Sequence, residues 1–242
     1  MQDKMPNYLQ TKAIVLSHRD LAEHDRLYTL MTERRGKLEV RVRGARKTLS
    51  KLQPPLSSYG VVRTLIYEGR SRPLLIGVET AERFPVLATS LWRTRFAACF
   101  IRLVDLVTRP EAADREIFEL LTEALGSAER TTPEHANALR DAFILKLLSH
   151  AGYRPELDEC VICRNENICA VSAAHGGAVC GNCDKLDPTA VAADEDRFNL
   201  LRAHAALPLD ATPIYAGADL AAFTAPLLRY RLETALWFPT AV

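Results

Sequence analysis

Nowhere in its 242 residues does the sequence hold eighteen consecutive apolar residues, so no helix is expected to cross a membrane. The opening MQDKMPNYLQTK lacks the apolar centre of a secretory signal, and a cytoplasmic protein is expected. Motifs of common catalysis are missing too. There is no G-x-S-x-G, no H-E-x-x-H and no Gly-rich dinucleotide fingerprint. The stretch from Gly44 to Thr48 resembles the end of a phosphate-binding loop. With Lys47-Thr48 aligned, however, that loop needs glycine where Arg41 and Arg46 stand. The carboxylates are scattered, with no pairing suited to acid–base or two-metal chemistry, and a non-enzymatic protein is expected.

Residues 1–80 contain neither Phe nor Trp; their aromatics are Tyr8, Tyr28, Tyr59 and Tyr67. The same stretch is rich in positive charge, with fifteen Lys and Arg against eight Asp and Glu. The remainder holds sixteen against twenty-two, so the net charge of +1 hides a basic first third and an acidic body. Such a split fits a module for a polyanion joined to a body that need not touch it. Arg34, Arg35, Lys37, Arg41, Arg43, Arg46, Lys47 and Lys51 all fall within eighteen residues. Alternation puts Lys37, Arg41 and Arg43 on one strand face, and the following loop adds Arg46, Lys47 and Lys51. A stripe of this kind can track a phosphate backbone. Binding by stacked bases would need several exposed rings, whereas Tyr28 and Tyr67 lie in strand-like runs that assign them to a core. Contact through phosphates more than through stacked bases, with base edges left free to pair, is the expectation.

From Thr11 to about Glu82 the pattern is β. The runs are 12–19, 26–33, 37–43, 61–67 and 73–79, the third alternating apolar Leu38, Val40 and Val42 with charged neighbours. Between the third and fourth lies a long basic loop containing Pro54-Pro55. Five short strands with no room for crossover helices indicate a small antiparallel barrel or sandwich, an OB-like barrel being a good candidate. After Pro85 the period becomes helical. Helices are expected from Leu91 to Val107, from Ala112 to Leu125 with Gly126 as its end, and from Thr132-Pro133 to Gly152. A last one is expected from about Ala225 to Leu236, with Pro226 in its first turn. Residues 186–196 look like a flexible, acidic connector.

Six cysteines without a secretory signal point to metal or buried thiols rather than disulfides. Cys160, Cys163, Cys180 and Cys183 form C-x2-C-x16-C-x2-C, the spacing of a four-thiolate zinc ribbon or knuckle. Each pair can turn tightly and aim both sulfurs at one Zn2+, and the glycines at 176, 177 and 181 suit those turns. Four cysteines close the coordination shell, so a single structural zinc is expected. Cys169 and His175 lie within the loop and are expected not to bind; Cys99, amid Phe96, Phe100 and Leu103, is expected to be a buried apolar thiol.

Two stretches carry a family resemblance. LYTLMTERRGKLEVRVRGARK (27–47) closely resembles the N-terminal domain of the RecO family, and HAGYRPELDECVICR (150–164), leading to SAAHGGAVCGNC (172–183), resembles its zinc segment. The resemblance implies an α+β multidomain protein: an N-terminal OB-fold β-barrel over 1–82 and a helical domain over 83–157 plus 187–242, with the zinc-ribbon insertion over 158–186. It also implies a DNA repair and recombination mediator, nucleoid-associated, that binds single- and double-stranded DNA and anneals complementary strands. Its partners would be RecR, single-strand-binding protein and, indirectly, RecA, with RecF as a further one.

Two other classes compete. A sequence-specific transcription factor would want base-reading residues on an exposed helix and a basic surround for the cysteines. Here the cysteine segment is slightly acidic, with Glu156, Asp158, Glu159, Glu166 and Asp184 against Arg154, Arg164 and Lys185. A zinc hydrolase would need an open ligand position.

Overall fold

The alternation in KLEVRVR becomes strand β3 (Gly36–Val42), with Leu38, Val40 and Val42 at 3%, 0% and 0% exposure. It belongs to a computed structural model that describes residues 7–21, 23–47, 50–69, 71–211 and 219–232. With β1 (Asn7–Asp20), β2 (Arg26–Thr32), β4 (Gly60–Glu68) and β5 (Leu74–Arg83), β3 closes a barrel in the order β1-β2-β3-β5-β4. All pairings are antiparallel except β3 with β5, which meet in parallel at Arg41 and Leu74, where the Arg41 N–H donates to the Pro73 carbonyl at 2.8 Å. This is the OB-like barrel expected. Its core holds Tyr28, Leu30, Leu38, Val40, Val42, Val62, Ile66 and Leu75. Each fully buried side chain of this size contributes roughly 1.5–3 kcal/mol of transfer free energy. A β-bulge between Val15 and Ser17 bends β1 so that it can serve both β4 and β2.

The basic loop after β3 contains a short helix, α1 (Gln53–Leu56), begun by the two prolines, whose missing N–H groups cost nothing in a first turn. It drops Leu56 into the barrel core.

By Cα proximity the chain falls into two compact units, 1–129 and 130–242. The first adds α2 (Leu91–Val107) and α3 (Arg115–Arg130) to the barrel. Gly126 does not end α3, contrary to expectation. Leu125, Ser127 and Ala128 are buried around it, and packing there outweighs the roughly 1 kcal/mol that a helical glycine costs.

The second unit contains α4 (Pro133–His150), α5 (Glu195–Ala206) and α6 (Ala221–Leu232), with α4 packed on both others. It also holds a three-stranded sheet, β7-β6-β8, formed by β6 (Ile168–Ser172), β7 (Gly177–Cys180) and β8 (Val191–Ala192). Two expectations change. The acidic tract at 186–196 is not a flexible connector: its end is the start of α5, where Asp194 caps the helix by accepting the Arg197 N–H at 2.9 Å, and Glu195 and Asp196 face the positive end of the helix dipole. α6 begins four residues earlier than expected, so Pro226 lies inside it. Its start is fixed by buried Asp141 of α4, which accepts the Leu220 N–H at 3.0 Å and the Thr224 hydroxyl at 2.9 Å. The expected end near Leu236 falls outside the described residues. No described helix is long and apolar enough to cross a membrane.

Candidate metal centre and nucleic-acid face

The cysteine pairs are brought together by the β6–β7 hairpin. Cys180 ends β7 opposite Ile168 of β6, and the turn after it returns Cys183, whose N–H donates to the Cys180 carbonyl at 2.9 Å. The first pair is carried alongside, because the Val161 N–H donates to the Ala178 carbonyl at 2.9 Å. Cys160 to Arg164 then closes a tight turn, with Arg164 at φ 62°.

All four sulfurs lie within 4.8 Å of one another, and two of the edges, Cys163–Cys180 and Cys163–Cys183, measure 3.6 and 3.7 Å. A tetrahedron built on zinc–sulfur bonds of about 2.3 Å has edges of about 3.8 Å. The donor set and its spacing therefore fit a four-coordinate thiophilic ion, and none of the six cysteines is in a disulfide. Burial pushes against ionisation of Cys160, yet N–H groups of Cys163, Cys180 and Ile162 outweigh it and bring this thiol down to about 6. Donation from the Asn182 and Cys183 N–H groups lowers Cys180 as well. Burial and the neighbouring thiols push Cys183 up to about 12. Four sulfurs this close cannot all carry charge unless a cation offsets it, which is what a bound metal ion does.

The glycines divide by role. Gly176 is at φ 79°, as the hairpin turn requires. Gly177 is extended, but a Cβ there would sit 2.3 Å from the Glu156 carbonyl oxygen, so close passage of two backbones demands glycine. Gly181 needs neither; a Cβ would make ordinary contact with Cys169. His175 is engaged elsewhere, its Nδ1 lying 2.9 Å from Ser172 Oγ, which donates to Asp187 at 2.6 Å. Neither it nor Cys169 belongs to the four-sulfur group. Cys99 is buried.

The basic stripe is less uniform than its sequence. Arg34 is exposed at the tip of the β2–β3 turn. Thr32 shapes that turn, its hydroxyl donating to the Gly36 carbonyl and accepting the Arg35 N–H. Gly36 is obligatory at φ 65°, with Ala112 O where a Cβ would go. Arg35 pairs with Glu68 at 3.2 Å and Glu111 at 3.5 Å. Lys37 is half-buried against α2, 2.5 Å from Asp105 Oδ1. Arg41 pairs with Asp25 at 2.5 Å, and the same carboxylate accepts the Gly44 N–H at 2.8 Å. The Gly44 N–H and then Arg41 hold Asp25 below the usual carboxylate range. Arg46 approaches Asp20 at 3.6 Å. Arg43, Lys47 and Lys51 are exposed and, like Arg34, make no ion pair with another described residue. Period two correctly reports that Lys37 and Arg41 point outward from the barrel. What it cannot report is that acids from α2 and from the β1–β2 turn wait there.

Sequence reasoning also missed groups on another wall. Lys12 of β1 and Arg63 of β4 stand opposite each other, both exposed and unpaired among the described residues. Tyr67, expected in the core, is 37% exposed, whereas Tyr28 is buried at 1% as expected. Alternation in β4 would have found this: Val62, Thr64 and Ile66 point inward, so Tyr67 must point out.

Comparison with known proteins bears on both sites. Residues 5–84 match the family model described as Recombination protein O N terminal, and residues 89–233 match Recombination protein O C terminal. The DNA repair protein RecO of Moorella thermoacetica is 32% identical over 183 residues, covering 74% of this chain and 67% of that protein. The DNA repair protein RecO of Roseiflexus sp. is 32% identical over 208 residues, covering 83% and 71%. That of Shouchella clausii is 32% identical over 180 residues, covering 74% and 70%.

Proposed function

The chain belongs to the RecO family, and from that premise we propose that it is a non-enzymatic DNA repair and recombination mediator acting in the cytoplasm at the nucleoid. It binds single- and double-stranded DNA, anneals complementary strands and, with RecR (and RecF), promotes RecA loading on strands coated by single-strand-binding protein. The observation that carries the DNA-binding part is the set of open cations on the barrel: Arg34, Arg43, Lys47 and Lys51 are exposed and make no ion pair among the described residues. Cations that hold no internal partner are free to exchange counterions for phosphates. The four-cysteine centre takes one structural Zn2+, which pins the β6–β7 hairpin to the turn at Cys160. Metal affinity then contributes directly to folding of that segment.

The transcription-factor reading is disfavoured by the acids around the cysteines. Glu159 pairs with Arg164, and Asp158 with Arg202 at 3.0 Å, so these two guanidinium groups are already engaged by carboxylates. Binding of a labelled oligonucleotide against salt is the test. With about five phosphates neutralised, affinity for a single strand should fall roughly a hundredfold between about 50 and 200 mM salt, alike for unrelated sequences. A flat salt response, or strong preference for one duplex sequence, contradicts the proposal.

A further inference from the structure

Tyr8 and Tyr67 face each other across β1 and β4 on the outer wall of the barrel, ring centroids 5.7 Å apart and planes inclined at 52°. They are 52% and 37% exposed. The Tyr67 ring is seated over Gly69, where a Cβ would lie 2.8 Å from Cε1, so bare backbone is what lets the ring lie there. Ile76, 42% exposed, lies on β5, the strand that pairs with β4, at the irregularity opposite Leu65 and Ile66. Four residues along the same strands, about 13 Å away, the wall presents Lys12 opposite Arg63.

Charge selects the occupant. Lys12 and Arg63 are exposed and have no ion-pair partner among the described residues. Glu68, next to Tyr67, is already bound by Arg35 at 3.2 Å and by Asn7 at 2.9 Å. Glu79 stands in register with Arg63 but makes no ion pair with it. The wall therefore offers open aromatic surface at one end and unpaired positive charge at the other. An apolar peptide would gain nothing from the cations, whereas a single nucleic-acid strand has a π-face on every base and a phosphate at every step.

We propose that the Tyr8–Tyr67 pair is a base-stacking platform for single-stranded DNA, with Lys12 and Arg63 holding phosphates of the same strand. This rests on the reading of the chain as a DNA-binding protein and gives stacking a larger share than the expectation that contact is through phosphates more than bases. A stacked base gives up its face and keeps its pairing edge, so the platform is compatible with annealing. Duplex DNA, whose bases are already stacked, gains nothing from it.

The test uses the full-length protein and two probes of equal length and charge, an oligo-dT and an oligomer of abasic sites. Wild type should bind oligo-dT at least about tenfold more tightly, and the double variant Tyr8→Ala/Tyr67→Ala should lose that advantage while keeping its affinity for the abasic oligomer. Tyr8→Phe/Tyr67→Phe should retain it. Equal binding of the two probes by wild type overturns the platform and leaves DNA binding standing; failure to bind either overturns the DNA reading as well. An independent measurement needs no variant: photocrosslinking of 5-iodouracil oligonucleotide to wild type, followed by peptide mapping. Crosslinks at Tyr8 or Tyr67 support the platform, and crosslinks confined to other positions overturn it. If the alanine pair binds both probes as wild type does yet loses binding to RecR, the wall is a protein-docking face and the proposal is wrong.

Discussion

The ammonium of Lys37 lies 2.5 Å from the Asp105 carboxylate and donates to the Asp105 carbonyl at 2.6 Å, tying strand β3 to helix α2. A residue that sequence places among the DNA contacts thus has a structural partner within its own unit. Lys37→Met should lower stability by about 1–2 kcal/mol, since the pair is only partly exposed, and leave oligonucleotide affinity within about twofold. Denaturant titration and anisotropy on the same preparation check both. A large loss of affinity with unchanged stability would return Lys37 to the DNA surface.

Arg43 and Lys47 should behave in the opposite way. Each alanine substitution is expected to leave stability within about 0.5 kcal/mol and to reduce the salt slope of binding by roughly one phosphate contact. The slope of affinity against salt is the readout, because it counts released counterions rather than overall strength.

The contrast shows how far the sequence reaches. Period two in KLEVRVR marks the strand, and five β-rich runs without crossover helices indicate a small barrel or sandwich, of which the closed barrel is the one formed. The C-x2-C spacing alone named all four sulfurs that now lie within 4.8 Å of one another. What escaped depends on residues distant in sequence. Asp105 is 68 positions from Lys37, and no local pattern announces that it covers the strand face. Pro226 reads as a first-turn proline of α6, whereas the actual start is dictated by Asp141, 79 residues before Leu220. The acids at 194–196 fit an acidic connector by composition, but an Asp followed by two acids is also how a helix begins.

Asp141 should be the most sensitive polar residue of the second unit. It is fully buried and is reached by Leu220, Thr224 and the nearly buried Arg140. Asp141→Ala removes the buried carboxylate from the Arg140 guanidinium, which keeps Asp219 at 3.2 Å and Asn137 at 3.1 Å, and takes their acceptor from the Leu220 N–H and the Thr224 hydroxyl; it should cost about 3 kcal/mol. Thermal or denaturant unfolding monitored by circular dichroism tests this. A cost below about 1 kcal/mol would mean that α6 is held by its apolar contacts alone.

A pH dependence follows from His204 of α5. It is buried, its Nδ1 donating to the Leu200 carbonyl at 2.7 Å while Nε2 has no hydrogen-bond partner among the described residues. Burial, partly offset by the Leu200 carbonyl and by Asp141, lowers its pKa below 6.5. A lowered folded value means that the unfolded chain binds the extra proton first. Stability is therefore full above about pH 7 and declines as pH falls below about 6.5 towards the folded value. Unfolding free energy measured from pH 8 to 5 should show this decline, and His204→Leu should flatten it. An unchanged slope in the variant would assign the decline to other groups.

The metal centre predicts one zinc per chain by atomic absorption, and its loss on Cys160→Ser. Loss of the ion should remove several kcal/mol from the second unit, about 10 °C in Tm for a chain of this size, while DNA affinity is largely kept. If affinity collapses in a variant that remains folded, the hairpin belongs to the DNA surface.

Annealing addresses the central claim most directly. Complementary oligonucleotides are mixed with the purified chain, without ATP, beside a variant carrying Arg43→Glu, Lys47→Glu and Lys51→Glu, three exposed cations without an ion pair among the described residues. Acceleration by the wild type, and its loss in the folded variant, is the result the account predicts. Equal annealing by both contradicts the assigned surface, and absence of annealing by the wild type contradicts the account itself.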